Sequence, residues 1–545
     1  MKFIQKYKVL ILLLGISLLP VVSLFYPGVP MAHDWPDHVA RIANFYASLS
    51  DGNVVPRWAG NLNWGYGHPI LMFLYPFSSY LASAFHFTGF SFIDSTKLVF
   101  GLTYVGSVVA MYLWLLQAFG KRAAFAGALL YGFAPYRFVD LHVRGALGEH
   151  AAFLFPPLIF YFMHQLSLKK EPNIIGITGL SVSTGLLILA HNAIAIMFLP
   201  LIVMYGIYLW FSNPKTRPMF TVSLLLSLVL GFGLSAFFWI PAFFEGKYTL
   251  RDIVTAGEAL QRFVPWTMFF YSPWNYGGGD QLTKFLGIAH WTGIAISLWI
   301  LLTKKKTMYR NLLLASLLLL ICSLFIMTSQ SSYIWKSVTL LQKFQFPWRF
   351  MSVVTFLTAV IGGLSIDYFK NKKLLIIFCL MIIISTSGMW HPKGYTSVHE
   401  STFTGVYLST TDTGESSPIW SVRFMEHTPA RPSEVISGDA QITEGERTST
   451  RHMYTIDVQS PSRILENTLY FPGWMVYVDG VSTGLQWQDP DYRGLITYRL
   501  TEGKHSILVQ FEDTKIRKWS QYVSVITVII LILITSTLLL WKRKK

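Results

Sequence analysis

The run HDWPDHVARI, His33 to Ile42, sets two histidines, two aspartates and an arginine within ten residues, directly after an apolar stretch. Imidazoles and carboxylates can exchange protons with a substrate, and together they can also hold a divalent metal such as Zn²⁺ or Mn²⁺. At 3.6 residues per turn, Asp34, Asp37, His38 and Arg41 fall on one helical face and Trp35, Val39, Ile42, Tyr46 and Leu49 on the other. The spacing predicts a helix lying flat on the bilayer with its acids aimed at whatever approaches. Ionisable groups at a membrane boundary are costly and point to a function, although the same residues can also simply solvate an interfacial helix and cap its start. His33, Asp34, Asp37 and His38 are the metal candidates; the cofactor is otherwise unassigned.

A second polar run, PYRFVDLHVRGALGEH, carries Asp140, His142, Arg144, Glu149 and His150. Farther along, His191 and Asn192 end an apolar span, and Glu245 follows IPAFF, where it can face a central cavity. Helix-end satisfaction is the plainer role for the His191–Asn192 pair. Arg349 in FQFPWRF can grip a phosphate with its planar fork at headgroup depth or snorkel beside an aromatic belt, and Arg57 in VPRW poses the same choice. The aromatic stretch WTMFFYSPWNYGGG suits sugar stacking or, more commonly, membrane anchoring.

The elements that must position these groups are mostly membrane spans. Of 545 residues, 52% are hydrophobic and only 13% charged, too few charges to coat a soluble surface. About twelve apolar stretches reach spanning length, near 9–26, 97–118, 122–138, 150–167, 174–190, 193–211, 219–240, 286–303, 311–328, 350–367, 373–388 and 520–541. The first is read as a retained span, because no small-residue cleavage pattern follows it. The formal charge of +16 reflects topology and not nucleic-acid binding, since the basic residues sit in short runs between spans. With Lys2, Lys6 and Lys8 cytoplasmic, Lys121/Arg122, Lys169/Lys170, Lys215/Arg217, Lys304 to Lys306, Lys370 to Lys373 and Lys542 to Lys545 all fall on the same side. That agreement requires Pro69 to Phe90 to be interfacial or re-entrant. Both termini are then cytoplasmic in a multi-pass inner-membrane protein, and the non-basic polar loops face outward. Cys322 and Cys379 lie in apolar segments and suggest neither a disulfide framework nor a thiolate site.

After about Trp390 the long apolar runs stop. MYTIDV, LYFPGWMVYVDG, LITYRL and SILVQF alternate and are broken by Gly, Pro and Asp turns, which predicts a small antiparallel β-sandwich outside the membrane. The expected organisation is a transmembrane domain at 1–389 with a long outer loop at 27–96, a β domain at 390–519, and a terminal span with a basic tail at 520–545. Within the β domain, Trp474, Trp487 and Tyr477 offer either a carbohydrate platform or core.

DGNVVPRW, GYGHPILMFLYP, AHNAIA, LSAFFWIPAFFE, FQFPWRF and the FPGWMVYVDG…EGKH tail resemble bacterial YfhO-like and 6-pyruvoyl-tetrahydropterin-synthase-related membrane proteins. More broadly, the long acidic outer loop and multi-span body resemble the GT-C superfamily of membrane glycosyltransferases. The resemblance implies transfer of a sugar from a polyprenyl-phosphate carrier to a glycan, lipid or protein acceptor at the outer face, with membrane lipid as a partner and nucleic acid excluded. It places the acceptor-activating acid at Asp34 and implies basic groups on the donor phosphate. Glu149 is preferred as the second acid, because Arg144-Gly-Ala-Leu-Gly-Glu-His supplies a cation, an acid and two glycines where a backbone can approach a ligand, and Asp140 is the alternative. Substrate contacts are expected from Asp37, His38, Arg57, Asp140, Arg144, His150, His191, Asn192, Glu245 and Arg349. A transporter or carrier-lipid flippase, or a non-catalytic envelope assembly protein, are the alternatives. Duplicated halves with paired broken helices, which a transporter would show, are not evident.

Overall fold

A computed structural model describes residues 2–304 and 309–544, so Lys305, Lys306 and Lys545 of the predicted basic runs lie outside the described residues. Each predicted span contains helix, but those expected at 122–138 and 150–167 are interrupted, their main helices being Lys121–Gly132 and Phe155–Ser167, of 12 and 13 residues. The N-terminal helix Lys2–Leu18 is followed by Phe92–Phe119, Lys121–Gly132, Phe155–Ser167, Ile174–Ala190, Asn192–Ser212, Arg217–Leu234, Ile288–Thr303, Arg310–Ile326, Met351–Tyr368, Lys372–Thr386 and Lys515–Lys544. Among the described residues, seven helices are by themselves long and apolar enough to cross a membrane, and Ile174–Ala190 and Ile288–Thr303 are shorter apolar helices. The protein is therefore a multi-pass, mostly helical membrane protein.

Local chemistry explains the boundaries. Phe92–Phe119 starts where Ser91 Oγ accepts the Asp94 amide at 3.0 Å, and it stops at Gly120, whose φ of +94° few side chains tolerate. Met351–Tyr368 forms the centre of the bundle. The stretch Pro347–Tyr368 is 94% buried, whereas the apolar part of the last helix is 17% buried and presents most of its surface to lipid. Small residues allow this close approach: a Cβ on Gly293 would meet Gly362 Cα at 2.8 Å, and one on Gly363 would meet Gly127 Cα at 3.2 Å.

The stretch Pro69 to Phe90 forms two short helices, Ile70–Phe73 and Phe77–Phe87, parted at Leu74–Pro76, and neither has spanning length. The helix Trp35–Ser50 forms as the spacing predicts, but it does not lie on the bilayer. Trp35, Val39 and Ile42 are at most 1% exposed because they enter the protein core, where the Trp35 ring stacks on Phe100.

The antiparallel domain is built on a six-stranded sheet. Its strands are β1 (Ser433–Arg447), β2 (Arg451–Leu469), β3 (Trp474–Val478), β4 (Val481–Thr483), β5 (Leu495–Leu500) and β6 (Gly503–Phe511), in the order β1-β2-β6-β3-β4. The long β2 pairs with β6 over its first half and with β5 over its second, so the sheet bends where its partner changes. Asp479 and Gly480, at φ +51° and +82°, make the tight β3–β4 turn. Residues 390–432 contribute no strand to this sheet. Trp58, Met72 and Phe73 of the first long loop enter the sheet's own core beside Trp474 and Phe471, so that loop and the sheet share one apolar interior.

Candidate functional site

The segment joining Lys121–Gly132 to Phe155–Ser167 is not a solvent loop. Pro135–Phe138 makes one helical turn, Val139–Arg144 winds as π-helix, Gly145 reverses the chain at φ +65°, and Leu147–Ala152 resumes helix; residues 135–152 are buried throughout. Single π-turns recur at functional sites because they re-aim side chains. Here the π-turn directs Asp140 and Arg144 toward Glu149. Arg144 Nη1 donates to Asp140 Oδ1 at 2.6 Å and to Glu149 Oε2 at 2.8 Å, and Tyr136 Oη donates to Glu149 Oε1 at 2.6 Å. Arg349 Nε stands 3.7 Å from Glu149 Oε2, and its Nη1 donates to the Phe344 carbonyl at 2.8 Å.

The start of helix Trp35–Ser50 is hydrogen-bonded to this segment: the His33 and Asp34 amides donate to the Val143 and Arg144 carbonyls at 3.1 and 2.8 Å. A cavity of about 290 Å³ opens between them, lined by His33, Asp34, His38, Arg41, Arg144, Glu149, His191 and Arg349. Asp34 and Glu149, far apart in the sequence and on different elements, thus face one space. Asp34 precedes its helix at φ −107° and ψ 3°, its side chain does not cap the helix, and among the described residues its carboxylate has no hydrogen-bond or ion-pair partner. It is the free acid of the site.

The roof comes from residues 411–415, a part of the chain that sequence reading assigned only to the β domain. Arg41 holds it by donating from Nε to Thr411 Oγ1 at 3.0 Å and from Nη2 to the Thr411 carbonyl at 2.7 Å. Asp412 closes the turn by accepting the Gly414 and Ser416 amides at 2.8 and 3.0 Å, a pattern legible in the TDTGES sequence as an Asx-turn. Glu415 accepts from Gln345 Nε2 at 2.5 Å, and burial raises its carboxyl above the usual range against the pull of Arg251 and Arg349. Arg262 and Glu258, paired at 3.2 Å, complete the rim.

His38 shows how burial sets protonation. Arg41 has only donors, so the contact of its Nη1 with His38 Nδ1 at 3.2 Å requires that nitrogen to accept. Burial, reinforced by the Arg41 charge, holds the imidazole well below its ordinary value, and the ring is neutral. Asp37 turns away from the cavity and accepts from Tyr407 Oη at 3.1 Å; burial raises its carboxyl despite Arg41.

Other expected residues lie elsewhere. Asp140 sits behind Arg144 and does not line the cavity. His150 is buried and contacts the Phe100 carbonyl at 3.2 Å through Nε2. Asn192 Oδ1 accepts its neighbouring Ala193 amide, and His191 receives Ile194 N while also reaching the cavity wall. Glu245 faces Arg517 at 2.8 Å and Arg57 faces Asp513 at 3.0 Å, both joining the membrane domain and first loop to the chain beyond the sheet. The two glycines of RGALGEH admit aromatic rings and not a ligand: a Cβ would fall 2.6 Å from Trp35 at Gly145 and 1.8 Å from Tyr75 at Gly148. Tyr75, which the motif reading missed, stacks on His191 with centroids 4.4 Å apart. His33, Asp34, Asp37 and His38 do not converge as a ligand set, and no group of three His, Cys, Asp or Glu side chains able to hold a metal occurs among the described residues. Trp474 is core, 1% exposed, and Trp487 stacks on Tyr470 apart from it.

The fold and cavity define a multi-pass membrane protein whose acids and arginines meet beneath a loop-built roof. Residues 71–393 match the 6-pyruvoyl-tetrahydropterin synthase related domain, a membrane-protein family, and the chain belongs to that family. An uncharacterized protein of Lactococcus lactis subsp. cremoris (strain MG1363) is 24% identical over 238 residues, covering 42% of this chain and 38% of that protein. Similar solved structures include the arabinofuranosyltransferase AftD from Mycobacteria, 15% identical with a TM-score of 0.44 over 71% of this chain and 27% of that one. The Archaeoglobus fulgidus oligosaccharyltransferase tethered to an acceptor peptide is 16% identical, TM-score 0.41, over 74% and 56%. ArnT from Cupriavidus metallidurans bound to undecaprenyl phosphate is 13% identical, TM-score 0.35, over 66% and 60%. The chain thus spans less than two thirds of the length of each of these proteins.

Proposed function

We propose that this protein transfers a sugar from a polyprenyl-phosphate-linked donor to an acceptor hydroxyl, on the face of the membrane that carries the sheet domain. The supporting observation is the meeting of a partnerless carboxylate, Asp34, with Arg349 and the Arg144–Glu149 pair in one cavity. Asp34 takes the acceptor's hydroxyl proton as the acceptor oxygen bonds to the anomeric carbon. The bond from that carbon to the phosphate oxygen breaks with its electron pair, and Arg349 offsets the charge on the departing phosphate. Glu149 already accepts from Tyr136 and Arg144, which suits positioning of the two arginines better than proton abstraction. The basic runs at Lys121/Arg122, Lys169/Lys170, Lys215/Arg217 and Lys370 to Lys373 favour a cytoplasmic location for the helix ends away from the cavity.

The test is transfer of labelled sugar from a pool of polyprenyl-phosphate donors by membranes containing matched amounts of wild type, Asp34→Asn or Asp37→Asn. Asp34→Asn lowers transfer by roughly 10²–10⁴-fold, the range for loss of general-base assistance. Asp37→Asn has a smaller effect, because Asp37 faces Tyr407 and not the cavity. Near-normal transfer by Asp34→Asn overturns the assignment.

A further inference from the structure

The break between helices Ile70–Phe73 and Phe77–Phe87 delivers to the cavity a side chain that the transfer scheme leaves unused. Tyr75 precedes Pro76, and a proline ring disfavours helical backbone in the residue before it. The chain leaves helix at Leu74, with φ −93° and ψ 134°, and Tyr75 stands outside both helices with its ring in the cavity wall. Two neighbours lock that ring. It stacks on His191 with centroids 4.4 Å apart, and its edge crosses Gly148 so closely that a Cβ there would lie 1.8 Å from Tyr75 Cε2 and 2.7 Å from Cζ, the carbon that bears the hydroxyl. Gly148 adjoins Glu149, whose Oε2 stands 3.7 Å from Arg349 Nε. The phenol is therefore fixed at the end of the cavity that Arg349 also lines.

Nearby tyrosines commit their hydroxyls to the protein. Tyr80 donates to the Val54 carbonyl at 2.7 Å, Tyr104 to that of Gly132 at 2.8 Å, Tyr131 to that of Phe153 at 2.7 Å, and Tyr136 to Glu149 Oε1 at 2.6 Å. Tyr75 Oη has no hydrogen-bond partner among the described residues, and it is not sealed off from the cavity. The second cavity that Tyr75 lines, walled largely by Ile42, Phe45, Leu71 and Leu74, is only about 20 Å³, room for about one water-sized group. A substrate therefore meets Tyr75 from the cavity of about 290 Å³, on the side of Arg349. An O–H donor bonds most strongly to an anion, and the anion that the proposed reaction brings to this end is the donor's phosphate. We propose that Tyr75 donates from Oη to a phosphate oxygen of the polyprenyl-phosphate donor, which makes it a donor-binding residue beside Arg349. This inference rests on reading the cavity as the donor site. Arg349 supplies charge and Tyr75 supplies direction, and because His191 and Gly148 fix the ring beforehand, the bond forms with little loss of side-chain freedom.

Tyr75→Phe removes the hydroxyl and keeps the ring, its stack on His191 and its fit against Gly148. The test is equilibrium binding of two probes, a fluorescent polyprenyl phosphate and the matching polyprenol, to the full chain in lipid nanodiscs, for wild type, Tyr75→Phe and Arg349→Lys, with thermal unfolding in parallel. Tyr75→Phe weakens binding of the polyprenyl phosphate by roughly 10–100-fold, the range for losing a hydrogen bond to a charged group, leaves polyprenol binding unchanged and keeps the wild-type midpoint. Unchanged phosphate affinity in Tyr75→Phe with lowered affinity in Arg349→Lys overturns the role of Tyr75 and leaves the donor site standing. Unchanged affinity in both variants overturns the donor site as well. Equal losses for the two probes, or a lowered midpoint in Tyr75→Phe, assign the hydroxyl to shaping the protein and overturn the proposal.

Discussion

Replacing Glu245 with Gln removes the only carboxylate that Arg517 pairs with at ion-pair distance among the described residues. Arg517 is 0% exposed and Glu245 2% exposed. Arg517 Nε reaches Glu245 Oε2 at 2.8 Å, while its other nitrogens donate to the Pro472 and Glu512 carbonyls at 2.6 and 3.1 Å. Its Cζ lies 4.7 Å from the Phe511 ring. The neutral contacts survive the substitution, but the charge is left without its counter-ion in a site that water does not reach. Removing one partner of a buried pair costs about 3–5 kcal/mol, whereas replacing both with apolar residues of similar size is often neutral. Glu245→Gln therefore lowers stability by about 3–5 kcal/mol, and Glu245→Leu combined with Arg517→Met loses much less. Because the pair joins helix Ala236–Glu245 to the start of the last helix, the loss also appears as faster proteolysis between the sheet and the membrane domain. Chemical unfolding in nanodiscs with parallel limited proteolysis measures both. A cost below about 1 kcal/mol for Glu245→Gln, typical of an exposed pair, refutes the reasoning.

Gly148→Ala drives a methyl into the Tyr75 ring, 1.8 Å from the built Cβ, and parts Tyr75 from His191. The expected cost is about 1–3 kcal/mol in unfolding, and Gly148→Ala combined with Tyr75→Leu regains part of it. Asp37→Asn is neutral or stabilising at pH 7. Burial raises the folded carboxyl's pKa above the unfolded value, so the folded state holds the extra proton and stability from this group falls as pH rises through that window. The difference between wild type and Asp37→Asn vanishes below the unfolded carboxylate range, which unfolding at pH 7 and at pH 3 measures; a destabilised variant at pH 7 contradicts the burial argument.

The helices are legible because the apolar runs are long, and some of them end at Gly or a capping residue, as at Ser91 and Gly120. Four of the strands were visible through alternation and turn residues such as Asp479-Gly480. β1 was not, because SEVISGDAQITEGER is mostly exposed and carries little apolar alternation. The polar face of Trp35–Ser50 is readable, but which of its acids reaches the cavity is not, since the spacing puts Asp34 and Asp37 on one face and Tyr407, which draws Asp37 away, is 370 residues distant. Arg57 and Glu245 looked like site residues because a charge beside an apolar run has the same sequence signature whether it meets a ligand or a distant counter-ion. Their partners, Asp513 and Arg517, come from the far end of the chain. The roof at Thr411 to Glu415 carried a turn signature, yet nothing local to it specified Arg41 as its anchor.

In the proposed reaction the cavity holds the donor's phosphate at Arg349. The direct measurement is photocrosslinking of a diazirine-bearing polyprenyl phosphate to the full chain, mapped by mass spectrometry and repeated with Arg349→Lys. Crosslinks are expected at residues lining the cavity beside Arg349, with apparent affinity lowered in Arg349→Lys because an ammonium keeps the charge but not the planar fork. Crosslinks confined to lipid-facing surfaces such as the last helix, with affinity unchanged in Arg349→Lys, would contradict it.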